Sequence, residues 1–575
     1  MGQGAEAIAT LQPLLSSARP STDALQLAAS AHLQNGDAAK ADQYYERALK
    51  AMSDDPRAKV ALALSKVAKG DSTALASLEA MAAADKDAVA DMALVSHHLA
   101  GGDLKAALKY VDQLQRKLPE DPLPHLLRGR ALRQMNDNVG ARASLERVLL
   151  ADPNHFAALS ELATLDLAEN KIDQLRTRFE ELLKREPKNF RAMLTLADVH
   201  QRSGAKPEVV EGHILAAIAA APFEATPRLA LVEHRLGRRK SALALTAAQE
   251  AVAALPDDHG LREALGRAQW ASGDSQQALA TFNGLLNARG VPADVCLRVA
   301  HVFLGMRNYE SAEAAIKKAL VVAPDFVEAQ KELIDLAMLR KRPAQAIEIA
   351  RQVQKQRPTR AIGHLMEAEI TAAQQNWDGA VAAMREALAR ERTTQLAARL
   401  HSLYLAAGRK PAAVDMAAGW LRDNPGDLGF MFHLAAVAIG AKDYAAAEAQ
   451  YRAILVVQPQ HPTSLNDLAW VLIQQGKPGA VALAEKANQL VPNTATFMDT
   501  LSQALQAEKQ IPQALLWAQK AVAAAPNKPE YRMNLAKCLI AAGERDKART
   551  ELRALATLGS GFSAQADVSR LLREL

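Results

Sequence analysis

The sequence predicts an all-α solenoid of paired helices, and three observations predict it. Prolines recur at Pro119, Pro153, Pro187, Pro222, Pro256, Pro324, Pro358, Pro425, Pro459, Pro492 and Pro526. Nearly every step between them is about 34 residues or about twice that, the period of a two-helix repeat. Small residues recur in register with the prolines, at Ala107, Ala141, Ala242, Ala278, Ala312, Ala346, Ala380, Ala413, Ala447, Ala514 and Ala548. A side chain larger than a methyl there would hold two crossing helix axes apart. A larger residue often follows four positions later, as at Phe179, Phe282, Ile316, Tyr451 and Leu552. Finally, apolar residues fall at three-and-four spacing throughout, and no segment alternates like a strand.

The stretch Leu428 to Pro459 states the unit most clearly. Met431, Leu434, Ala435 and Ala438 lie on one face of a first helix, and Ala447, Tyr451 and Ile454 on one face of a second. Gly440 to Asp443 supplies turn chemistry, and Pro459 ends the unit because proline cannot continue a helix. Helices this short are marginal alone, so each pair must stack on its neighbours. Period, register and residue size together make the chain resemble the tetratricopeptide family over almost its whole length. The resemblance implies a right-handed superhelix of roughly sixteen units whose first helices line a concave groove.

Taken in order, residues 1–20 predict the second helix of a repeat whose first helix is missing, with Ala7, Leu11 and Leu14 on its apolar face and Pro20 closing it. That bare half-repeat predicts a chain continued upstream by further repeats, a signal peptide or a lipid anchor. MGQGAEAIATLQPLL itself lacks a basic region followed by an apolar core, so it is not a secretory signal. An array over 22–222 follows. Its first repeat runs from about Thr22 to Pro56 with Gly36 in the turn, and a short, degenerate repeat lies near 57–87. An insertion near Lys206 and Pro207 and loose packing positions from Ala225 to Pro256 mark a second irregular region. The array continues over 223–560. There the unit around Trp377 has Arg392, and the unit around Phe282 has Gly290, in place of a closing proline. Residues 561–575 predict a capping helix, started by Ser563, whose Leu571, Leu572 and Leu575 cover the last repeat.

Composition narrows the function classes. Aromatics make up 4% and hydrophobic residues 49% of 575 residues, so the apolar content is mostly the alanine, leucine and valine of close helix packing. A formal charge of +5 is too slight to predict a nucleic-acid partner. Cys296 and Cys538 lie many repeats apart, which predicts buried thiols rather than a disulfide. Such scarcity suits the cytosol and the periplasm alike. No apolar run reaches the roughly 18 residues of a membrane span. HExxH, GxSxG, GxxxxGK[ST] and CxxC are all missing, so no enzyme activity, cofactor or metal is expected. The adjacent His97 and His98 fall on different helix faces, and Glu211-Gly212-His213 has no third ligand nearby.

Binding surface remains. On the first helices of the last repeats, the inward positions are Asn466, Trp470 and Ile473, then Asp499, Gln503 and Gln506, then Met533 and Lys537. Amides there could address the backbone of an extended peptide and Trp470 an apolar side chain, the alternative being packing between repeats. Trp270 and His301 occupy similar inward positions in adjacent repeats. The lysine and asparagine pattern that receives chaperone C-termini in some family members is not evident. Turns between paired helices carry Arg235, Arg238, Arg239 and Lys240, then Arg340, Lys341 and Arg342, then Arg409 and Lys410. They predict a basic edge for an anionic polysaccharide, lipid headgroups or an acidic protein, or else ordinary solvated turns.

The final stretch carries a narrower resemblance. Leu465-Asn466-Asp467-Leu468-Ala469-Trp470, AEKANQLVPNTATFMDTLSQAL, PEYRMNLAKCLIAAGERDKARTELRAL and FSAQADVSRLL are similar to the C-terminus of the repeat lipoproteins of bacterial PEP-CTERM/exosortase systems. Their distinctive lipobox cysteine is absent. The resemblance implies a non-catalytic scaffold at the periplasm or outer membrane, in exopolysaccharide biosynthesis or PEP-CTERM protein sorting. Three alternatives stand beside it: the periplasmic repeat domain of a cellulose, alginate or Pel-type export protein, the substrate-selecting arm of an enzyme such as a glycosyltransferase, and a cytosolic assembly chaperone.

Overall fold

The computed structural model describes residues 3–17, 20–34, 38–52, 55–68, 71–84 and 88–575. Among these residues the regular structure is helical, with one short 3-10 turn at Gly559–Gly561 and no strand. A first helix, Gln3–Leu15, is followed by sixteen consecutive pairs, from Thr22–Gln34 with Ala38–Ala51 to Pro529–Ala541 with Arg545–Ala556, and by a last helix, Gln565–Glu574. The degenerate repeat near 57–87 forms its pair as Pro56–Ala68 and Ser72–Ala84. Gly36 and Lys86 lie outside the described residues. Two compact units result, Met1–Leu336 and Ala337–Leu575. The division falls within the helix Val327–Leu339, which no sequence signal marks.

One local device makes each pair. In the pair Leu428–Gly440 and Tyr444–Val457, the N–H of Lys442 donates to the Ile439 carbonyl at 2.9 Å and that of Asp443 to Ala438 at 2.8 Å. This doubly bonded helix end needs a left-handed residue, and Lys442 takes it at φ 58°. Equivalent turns use Gly273, Gly408, Gly476 and Gly543, or else Asn136, Asn170, Arg239, Lys341 and Gln375. Asp443 then starts the second helix by accepting the N–H of Ala446 at 3.0 Å. Asp103, Asp137, Asp274, Asn308 and Asn376 do the same in their own repeats.

The packing rule of the sequence holds with one correction. Ala107, Ala141, Ala278, Ala312, Ala346, Ala380, Ala413, Ala447, Ala514 and Ala548 are fully buried, but Ala242 is exposed. Ala244, one period before Ala278, is the buried residue of that repeat, because the helix begins only at Ser241. Phe179, Phe282, Ile316, Tyr451 and Leu552 are buried as expected. In several repeats the second helix also meets a small residue of its first helix. A Cβ at Gly129 would sit 2.6 Å from Leu145, and one at Gly266 2.6 Å from the Phe282 ring. Ala435 and Ala536, fully buried, hold the corresponding places opposite Tyr451 and Leu552.

Both cysteines are buried and free, and burial pushes the Cys296 thiol up to about 11. At the C-terminus Leu571, Leu572 and Leu575 pack on the last repeat, around the buried Val568 and Phe562. Ser563 does not cap the final helix: Ala564 is its N-cap residue, and no side chain bonds there. Among the described residues no helix is long and apolar enough to cross a membrane.

Candidate functional site

Three first helices of the second unit, Pro462–Gln474, Ala495–Ala507 and Pro529–Ala541, contribute side chains to one cavity of about 400 Å³. Asn466 and Trp470 stand one turn apart on the first of them, and Asp499 and Gln503 one turn apart on the second. Four of the predicted groove residues are thereby brought together. Asp467, Thr496, Thr500 and Glu530 join them, with Ile439 and Tyr451 behind.

Hydrogen bonds hold these side chains in place. Gln503 Nε2 donates to Asp499 Oδ2 at 2.7 Å, and Asn534 Nδ2 donates to Asp499 Oδ1 at 2.9 Å. Asn534 Nδ2 also reaches Ser502 Oγ at 3.1 Å, which in turn donates to the Ala514 carbonyl at 2.8 Å. Asn466 Nδ2 donates to Asp467 Oδ1 at 3.0 Å, and the Tyr451 hydroxyl bonds the same carboxylate. Burial pushes both carboxyls upward, the Glu530 charge acts in the same direction on Asp499, and their amide and hydroxyl donors offset this only in part. Trp470 stands half-buried, edge-on to Tyr444 with ring centroids 6.0 Å apart.

The remaining predicted groove positions go elsewhere. Met533 does not face the cavity: it is 5% exposed and belongs to the apolar cluster that the capping helix closes. Ile473 packs against the core, and Lys537 is exposed. In the first unit, Trp270 is 38% exposed and lies over Gly305, where a Cβ would meet its ring at 2.9 Å. His301 Nε2 lies 3.3 Å from Glu332 Oε1.

The basic turns are less free than their composition implies. Arg235 is not a free rim charge: it grips Glu211 Oε1 through Nε at 3.0 Å and Nη2 at 2.5 Å, and donates to the Leu243 carbonyl at 3.0 Å. Arg409 is paired with Asp378. Arg238, Arg239, Lys240, Lys341 and Lys410 are exposed, and Arg340 and Arg342 flank Lys341 in the turn before Pro343–Gln356. Arg239 and Lys341 hold the left-handed turn position, so their presence has a backbone role as well.

A second cavity of the same unit, about 460 Å³, is lined by first-helix residues including Glu369, Arg399, Ser402 and His433, with Met384 behind. Glu369 and Arg399 are ion-paired across it. His433 Nε2 lies 3.0 Å from His401 Nδ1, so one ring donates and the other accepts. Burial, and then the neighbouring His433, lower the His401 pKa to about 4, below the ordinary 6.5. Burial lowers His433 as well. A histidine depressed on folding contributes stability that is present above the unfolded value and lost as pH falls toward the folded one. Hydrogen exchange should therefore show the helices Thr394–Ala406 and Leu428–Gly440 opening more readily as pH falls from 6.5 toward 4, after correction for the intrinsic rate. In His401→Gln the slope should flatten.

Other histidines pack against aromatic rings. His98 stacks on Tyr110 with centroids 5.5 Å apart, and His213 on His200 at 5.0 Å. No group of three or more His, Cys, Asp or Glu side chains among the described residues could hold a metal ion. Asp467, Thr496, Thr500 and Glu530 are the cavity residues that sequence reasoning missed. Asp467 and Thr500 each follow a predicted inward residue by one position, and Thr496 and Glu530 precede one by three, so a stripe widened by one residue and extended by one turn would have included them.

Comparison with known proteins agrees with this architecture. A tetratricopeptide repeat model matches residues 1–56, 229–294, 297–361 and 432–494, and a second tetratricopeptide repeat model matches 505–560. Together these matches cover more than half of the chain. No curated protein matches. Solved structures that resemble it include a chain of the Naa15/Naa10 complex bound to HypK-THB, 13% identical, with 96% of this chain and 100% of that chain covered and a TM-score of 0.30. A chain of the APC/C hetero-tetramer Cut9-Hcn1 is 15% identical, with coverage of 92% and 98% and a TM-score of 0.31. MamA from Desulfovibrio magneticus RS-1 is 19% identical, with coverage of 30% and 97% and a TM-score of 0.26. At such scores none of them bears on function.

Proposed function

Since the chain belongs to the tetratricopeptide repeat family, we propose that it is a non-catalytic scaffold that holds extended segments of partner proteins against its first helices. The observation that carries this reading is the convergence of Asn466, Trp470, Asp499 and Gln503, from two successive first helices, on one cavity. A peptide laid across them would meet carboxylate and amide oxygens for its N–H groups, an amide donor at Gln503 and an aromatic wall at Trp470. Such binding is shared among repeats, so each contact contributes a fraction of the affinity.

The proposal extends to the compartment. The likeness of the final repeats to PEP-CTERM-associated lipoproteins supports a partner at the bacterial cell envelope, within exopolysaccharide biosynthesis or surface-protein sorting.

The experiment is a pulldown from envelope extract with the wild-type chain and with Trp470→Ala plus Asp499→Ala. Proteins retained by the wild type are expected to be lost or cut about tenfold in the variant, the loss of one good contact. Equal retention by both would reject the cavity as the binding surface and direct attention to the exposed residues Arg238, Arg239 and Lys240. Retention from the cytosolic fraction alone would reject the envelope assignment.

A further inference from the structure

Resting on the reading above, we infer that the cavity between Pro462–Gln474 and Pro529–Ala541 receives a lysine or arginine side chain, so the segment it recognises is basic. Three carboxylates line it: Asp467, Asp499 and Glu530. None of the three is in an ion pair among the described residues, although ion pairs are frequent elsewhere in this unit, as between Arg532 and Glu551 at 2.7 Å. Lys537 is exposed, and its field at Asp499 is weaker than that of Glu530.

A second observation, independent of the carboxylates, points the same way. Asn466 is 4% exposed, lines the cavity, and its Oδ1 has no hydrogen-bond partner. The orientation of this amide is set by Asp467, which accepts its Nδ2 and would repel its oxygen. A buried acceptor left bare costs free energy, and a donor brought by a ligand removes that cost. Apart from the Trp470 indole N–H and the amide hydrogens of Asn466 and Gln503, the polar groups of the wall are acceptors or hydroxyls. Trp470 adds an aromatic surface, on which a cation is attracted to the ring face.

Competing occupants fit less well. A metal ion is disfavoured because the carboxylates do not form a cluster that could ligate one. A neutral peptide N–H would satisfy Asn466 yet leave three carboxylates unneutralised. An acidic peptide or an anionic polysaccharide would be repelled.

The test selects binders from a random twelve-residue peptide library displayed on phage, using the full chain. The same selection is repeated on Trp470→Ala and on Asp467→Asn with Glu530→Gln. Asp499 is left intact because it also anchors Gln503 and Asn534. The amides are near-isosteric, and unchanged circular dichroism and melting would confirm that this variant folds. Wild-type binders are expected to share a lysine or arginine at one position. Their synthetic peptides should bind about tenfold or more weakly to the amide variant, the loss of a charge-assisted contact. Replacing that residue by glutamine should cost the same, and added salt should shrink the difference. Binders that need Trp470 but carry no basic residue would overturn the inference and leave the scaffold reading standing. Binders indifferent both to Trp470 and to the two carboxylates, or no binders at all, would overturn both.

Discussion

Phe282→Ala is expected to destabilise its repeat by about 3–5 kcal/mol, the cost of emptying a fully buried aromatic site. The size follows from what the ring touches. It lies across Gly266 on the first helix of the pair and meets Phe303 of the next repeat edge-to-face, with centroids 5.6 Å apart. Gly266 has no side chain to swing into the vacated space, and the two helices are joined by a short turn, so the hole cannot collapse. In a linear array each repeat contacts only its neighbours, and the loss should be local. Hydrogen exchange is the measurement: faster opening is expected in His259–Ala271, Ser275–Asn287 and Ala293–Gly305, with the C-terminal repeats unchanged. Gly266→Ala supplies the cross-check. In the wild type its methyl would press the ring and destabilise, whereas in the Phe282→Ala background it should be neutral or stabilising. The same sign in both backgrounds would reject this account.

Lys117→Met is expected to cost a comparable 3–5 kcal/mol or so, by a different route. Lys117 ends the helix Leu104–Lys117, pairs with Asp91 and donates to the Ala82 carbonyl at 2.6 Å, tying three helices together. The Asp91 side chain is completely buried, and its other oxygen, Oδ1, has no hydrogen-bond partner. Removing the lysine leaves a buried carboxylate with neither cation nor water, and that desolvation cost exceeds the worth of the pair itself. The double variant Lys117→Met with Asp91→Leu should recover most of the loss, since apolar residues of similar volume often replace a buried pair without penalty. Hydrogen exchange over Ser72–Ala84 and Val89–Gly101 reads both variants. A single-variant loss under about 1 kcal/mol, the range of an exposed pair, would mean that water reaches Asp91.

Binding chemistry was only half legible in the sequence. Three-and-four spacing found Asn466, Trp470, Asp499 and Gln503, because a stripe on a helix face is a property of one helix. It passed over Asp467 and Glu530, whose charge matters only because neighbouring repeats bring it beside Asp499. Met533 was assigned inward by the same spacing and is buried instead, since the final helix packs over the last repeat. Arg235 carried a surface expectation from its turn-like context, yet it pairs with Glu211, which lies on the second helix of the preceding repeat.

By itself, the sequence determined the period, the pairing of helices and the steric rule of their crossing. These depend on residue size and on distances along the chain, which repetition states many times over. Tertiary structure alone decided which polar groups share a space and which of them lack a partner. Neighbouring positions on a helix point about 100° apart, and the groups that meet across repeats lie about one 34-residue period away in the chain. Asn466 shows the difference: its inward position is readable from spacing, but its bare oxygen among three carboxylates exists only once three repeats are stacked.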